Sequence, residues 1–218
     1  MKIVVIGGVA SGSKAVAKAR RLLPQSSIDL YTDDTHVSYS SCGLPYYIEG
    51  NFEDYRMLLV RSPEEFKAVN INIHLRHRVA KIMPNLKQIL VEDLDTNKAF
   101  KVSYDKLIIA TGARPIIPNI KNVNLKNIFT VRKIEDGIAI KEKVVKSKRA
   151  VIVGGGYIGV EMLEALVKQN LHVVLLEYGN HIMRNFDSDM SELMLKQLMS
   201  ISDGRFEILT SELVTEFI

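Results

Sequence analysis

Ala150-Val151-Ile152-Val153-Gly154-Gly155-Gly156-Tyr157-Ile158-Gly159 decides the fold. A short apolar run ends in the spacing Gly154-x-Gly156-x-x-Gly159. A helical pattern follows to about Gln169, and a second apolar run covers Val173 to Leu176. The three glycines have different tasks. The first permits a tight turn, the second lets backbone N–H groups approach a pyrophosphate, and the third allows close packing of helix on strand. Tyr157 and Ile158 lie in the same turn, at the positive end of the helix, where an anion is favoured. Eighteen residues past Gly159 the strand ends in Glu177. A carboxylate there accepts hydrogen bonds from an adenosine ribose and repels a 2′-phosphate, so NADH is expected over NADPH.

The same device stands at the N-terminus. Lys2 to Ile6 is a β-branched, unalternating run that reads as a strand buried on both faces. The turn Gly7-Gly8-Val9-Ala10-Ser11-Gly12 leads into a helix expected from Ser13 to about Leu23, closed by Pro24, and then a strand from Ile28 to Tyr31. This copy is less regular. Val9 takes the place of the second glycine, and Tyr31-Thr32-Asp33-Asp34 puts threonine at the strand end, leaving Asp33 as the candidate for the ribose.

Two such units about 150 residues apart predict an α/β protein with two Rossmann-like, three-layer nucleotide-binding units in series. Between them, Ser62-Pro63-Glu64-Glu65 has the form of a helix-starting capping box. Ile71 to Leu75, Val79 to Met83, Gln88 to Glu92 and Ala99 to Val102 read as an inserted antiparallel β-meander. Leu107 to Gly112 reads as another buried strand running into a glycine turn. The expected domains are 1–117, the first segment of the first nucleotide-binding domain; 118–147, a connecting segment marked by Pro115 and Pro118; and 148–218, an incomplete second unit.

Composition narrows the function. With 47% hydrophobic and 25% charged residues the chain is of ordinary globular type. The net charge of +4 is scattered, with no basic stripe interleaved with aromatics, so nucleic acid is not an expected partner. No segment approaches the apolar length of a membrane helix, and the N-terminal run is too short for a signal peptide. No metal site is expected. One cysteine makes no internal disulfide, and a reducing cytoplasm is the expected home. That cysteine is either inert or reactive.

Cys42 lies in Ser38-Tyr39-Ser40-Ser41-Cys42-Gly43-Leu44-Pro45-Tyr46-Tyr47, among small hydroxyl residues and with a helix start expected after it. This motif, the strand Leu107-Ile108-Ile109-Ala110-Thr111-Gly112-Ala113-Arg114-Pro115 and the Gly154-to-Glu177 unit together resemble the single-cysteine pyridine nucleotide-disulfide oxidoreductases. These include coenzyme A-disulfide reductases, NADH-dependent persulfide reductases, and NADH oxidases and peroxidases.

The resemblance implies FAD in the first unit, toward Gly7, Gly8, Val9, Ala10, Gly12, Asp33 and Ser41. Thr111 and Gly112 match the family's flavin-side turn, and Arg132 matches an arginine near the flavin. NADH is implied in the second unit, and Glu161 matches an acid lying toward the flavin. A solvated arginine and a glutamate favoured by the helix dipole are the plainer readings of Arg132 and Glu161. Hydride would pass to the flavin and then to sulfur at Cys42. The oxidised partner of a lone cysteine is implied to be coenzyme A or another small thiol, a persulfide, or a sulfenic acid.

Ala10 stands where the oxidase and peroxidase branches resemble each other in having a histidine, which favours a small-molecule disulfide or persulfide reductase over an oxidase or peroxidase. Family members are about twice this length. The chain is therefore expected to be truncated within the second unit, with homodimers belonging to the full-length form. A catalytically inactive nucleotide-binding fragment is the remaining alternative.

Overall fold

A computed structural model describes residues 1–201 and 204–218. The chain forms two compact units, one of residues 1–41 and 56–114, the other of 42–55 and 115–218.

In the first unit, β1 (Lys2–Ile6), β2 (Ser27–Tyr31), β3 (Asn72–His74) and β7 (Lys106–Ile109) make a parallel sheet in the order β3-β2-β1-β7. β1 alternates between two covered faces, which explains its unbroken apolar run. Ile3 and Val5 pack with Val16 of α1 (Ala10–Leu22), Ile28, Leu30 and Phe66. Val4 and Ile6 pack on the other side with Ile89, Val91 and Val102. Those last residues belong to the antiparallel meander β4 (His77–Met83), β5 (Gln88–Asp93) and β6 (Lys98–Ser103), which is the third layer.

Ile71 to Leu75 is not part of that meander. β3 pairs in parallel with β2 at the edge of the main sheet, Asp29 opposite Asn72 and Tyr31 opposite His74. The physical reason is α3 (Pro63–Ala68), which precedes β3, supplies the crossover a parallel strand needs, and buries Phe66 on the sheet. Its capping box is formed as expected: Ser62 N–H donates to Glu65 Oε2 at 2.7 Å, and Glu65 N–H to Ser62 Oγ at 3.3 Å. α1 starts three residues ahead of the expected Ser13, because the glycine turn passes straight into the helix. β7 also departs from expectation. It is an edge strand, with Leu107 packed toward the meander and Ile109 61% exposed.

The second unit repeats the plan with β8 (Arg149–Val153), α5 (Tyr157–Lys168), β9 (His172–Glu177), α6 (Ser188–Ile201) and β10 (Phe206–Thr210), in the parallel order β10-β9-β8. Leu163, Leu166, Val173 and Leu175 centre its core. Two helices join this core from outside the nucleotide-binding pattern. One is α4 (Ile134–Val144), inside the segment read as a connector; the other is α2 (Leu44–Glu49), which follows Cys42. Residues 42–55, placed within the first domain from the sequence, therefore cluster with the second unit, because α2 buries Ile48 there.

Candidate dinucleotide and thiol sites

The first glycine turn is tight because backbone passes on both sides of it. Gly7 has φ +99°, and a Cβ there would stand 2.1 Å from the Ala110 carbonyl oxygen. A Cβ on Gly12 would stand 1.7 Å from the Gly7 carbonyl oxygen, so α1 approaches Gly7 this closely only because residue 12 is glycine. Gly8 is buried against Leu30, Thr32 and Val37. Val9 is the half-buried N-cap of α1, and Ala10 is exposed in its first turn. That turn carries no side-chain cap and no acid, so its N–H groups are open to an anion. Thr111 and Gly112 are exposed just past β7, with Gly112 at φ +66°. Thr32 is buried at the end of β2. Asp33, one residue on and half-exposed, lies 3.7 Å from Arg78 Nε.

The second turn is more open. Gly154 has φ +104°, yet a Cβ on Gly154 or Gly156 would meet no atom within 4 Å. A Cβ on Gly159 would stand 1.9 Å from the Gly154 carbonyl oxygen and one on Gly155 2.9 Å from Ile182 Cγ2, so the open positions are Gly154 and Gly156. Gly156 caps α5 without a side-chain bond, and no acid occupies the first turn. Tyr157 and Ile158 are exposed, the Tyr157 ring meeting Phe186 edge-on at 5.8 Å.

Glu177 ends β9 and is 8% exposed, its carboxylate fixed by backbone: Gly155 N–H donates to Oε2 at 2.7 Å and Gly179 N–H to Oε1 at 2.6 Å. Gly179 was not among the expected residues; glycine two residues past the terminal acid was the signal for it. Glu161 is exposed on α5. Arg132 is half-buried ahead of α4, where its N–H and that of Lys133 donate to Asp136 Oδ2 at 2.9 and 2.8 Å.

Cys42 is exposed in a single 3-10 turn, Ser41–Gly43, that leads directly into α2. Among the described residues no cluster of His, Cys, Asp and Glu is arranged to hold a metal ion, and no helix is long and apolar enough to cross a membrane. Both turns thus have the shape a dinucleotide pyrophosphate needs, a positive-φ glycine opening onto an uncapped, acid-free helix start.

A model of the pyridine nucleotide-disulphide oxidoreductase family matches residues 1–212. The chain belongs to that family. Family enzymes use a flavin and a pyridine nucleotide. The chain is 31% identical over its full length to an NADH oxidase of Enterococcus faecalis, covering 48% of that protein. It is 34% identical over 91% of its length to a coenzyme A disulfide reductase of Staphylococcus haemolyticus, covering 45% of it. It superposes with a TM-score of 0.94 on the NAD-dependent persulfide reductase of A. fulgidus, at 30% identity, over 100% of this chain and 41% of that one. The chain spans about half the length of the curated relatives it matches.

Proposed function

We propose that this chain is the part of a small-molecule disulfide or persulfide reductase that holds FAD at the first turn and NADH at the second, with Cys42 as its redox centre. The open space over Gly154 and Gly156, beside a buried Glu177, carries this reading, because it leaves room for a pyrophosphate next to a fixed carboxylate that can accept from a ribose. When bound, FAD supplies a two-electron relay between nicotinamide and sulfur.

The first turn gives the flavin's pyrophosphate the N–H groups of α1, and Asp33 accepts from its ribose. In the second turn Glu177 accepts from the NADH ribose, while its charge opposes a 2′-phosphate. Thr111, Gly112, Ser41, Arg132 and Glu161 are assigned to the flavin side. The exposed Cys42 thiolate attacks a disulfide RS–SR, forming Cys42–S–S–R and releasing RS⁻. Two electrons and one proton then return Cys42 to the thiolate and release RSH. Such a cycle suits a reducing compartment such as the cytoplasm.

Ala10 in the first turn favours this reading over peroxide chemistry, since its methyl group neither donates nor accepts a proton. Replacing Cys42 with Ser should abolish NADH-dependent reduction of coenzyme A disulfide while FAD stays bound. Retained reduction in that variant sinks the mechanism, and oxygen or peroxide consumption without response to the disulfide selects an oxidase.

A further inference from the structure

The Cys42 segment is folded by the second unit. A helix of six residues does not hold itself together in water, so the order of α2 comes from what it packs on. At its start, Leu44 is 1% exposed and lies against α4, where a Cβ on Gly137 would come 2.7 Å from Leu44 Cδ2. One turn further along α4, Lys141 Nζ stands 4.4 Å over the Tyr47 ring, donates to the Phe52 carbonyl at 3.1 Å and pairs with Glu53 at 3.0 Å.

At the other end of α2, the Glu49 carboxylate accepts from Lys168 Nζ of α5 at 2.7 Å. Lys168 also meets Glu164 at 2.9 Å, and these two carboxylates raise its pKa. The Gln169 side-chain amide donates to the Glu49 carbonyl. Gly50 follows at φ +91°, where a Cβ would come 2.7 Å from Gln169 Nε2.

We propose that Gly137, Lys141, Lys168 and Gln169 are positioning residues for Cys42, fixing the 3-10 turn that carries the thiol by clamping both ends of α2. This rests on the reading of Cys42 as the redox centre. The helix that follows the thiol is then held by α4 and α5 of its own unit, about 100 residues further along the chain.

The test needs no flavin. The Cys42 thiolate attacks the S–S bond of dithiobis(nitrobenzoate), forms the mixed disulfide and releases one coloured thionitrobenzoate anion. The wild-type rate should differ about tenfold or more from that of a synthetic peptide of residues 38–47. Gly137→Ala, and Lys141→Met combined with Lys168→Met, should bring the rate to within about threefold of the peptide, while Lys168→Arg keeps the wild-type rate. Amide exchange at 44–50 should quicken in the first two variants, with exchange in β1 and β2 unchanged.

A wild-type rate equal to the peptide's, variants that keep the wild-type rate, or exchange that quickens equally in β1 and β2 overturns the proposal. Failure of the redox reading is seen separately, as disulfide reduction that survives Cys42→Ser.

Discussion

The two glycine turns share a plan but need their glycines for different reasons. In the first, Gly7 and Gly12 are forced by protein: carbonyl oxygens of Ala110 and Gly7 occupy the places a Cβ would take. In the second, Gly159 is forced in the same way, but the space over Gly156 is empty of protein. Gly156 also has φ −78°, a conformation open to any residue. One glycine spacing therefore contains two kinds of position, one that the fold requires and one that it leaves open, which is the one proposed to face a ligand. Substitutions separate them.

The largest effect belongs to Gly7→Ala, which adds a Cβ into a carbonyl at positive φ; a stability loss on the order of 3 kcal/mol or more should appear in chemical denaturation. Gly156→Ala should cost about 1 kcal/mol or less as an N-cap change, yet weaken NADH binding about tenfold or more in a fluorescence titration. If Gly156→Ala keeps NADH affinity, the distinction fails.

Glu177→Gln sharpens it further. The amide turns N–H toward one of the two backbone donors that now meet a carboxylate oxygen, so a loss of about 1–3 kcal/mol is expected in denaturation. NADH affinity should fall with it, while discrimination against NADPH relaxes.

The smallest effect lies in β2, the strand that pairs with β1 and β3 in the first unit. Asp29 accepts from His74 Nε2 at 3.0 Å and Asn72 Nδ2 at 3.1 Å, and the His74 bond above all holds its carboxyl below the usual value against the cost of burial. Its stabilising effect is present above the unfolded pKa and lost as pH falls through the lower folded value. Acid should therefore weaken the first unit below about pH 4, and Asp29→Asn should flatten that loss in melts across the range. On the same strand, burial pushes the hydroxyl of Tyr31 up to about 12.

Much of this was legible because it depended on local pattern. The β-branched runs, the glycine spacings, the capping box at Ser62 and the acid at the end of β9 are each fixed by neighbours in sequence. What escaped depended on partners far along the chain. Ile71 to Leu75 has the texture of a meander strand, and only its pairing with β2 makes it parallel. α4 was hidden behind Pro115 and Pro118, although Ile134, Gly137, Ile140 and Val144 are buried at helical spacing. The Cys42 motif pointed to a redox role but not to its support, since Gly137 and Lys168 lie about 100 residues away and nothing local marks them as neighbours of α2.

The most direct test of two dinucleotide sites is the visible absorption spectrum of the 218-residue protein, mixed with FAD and desalted, before and after anaerobic addition of NADH. Retained flavin absorption that bleaches, or that gains a long-wavelength charge-transfer band with Cys42, is the predicted result. A protein that leaves the column colourless, or holds flavin that NADH does not reduce, would contradict it.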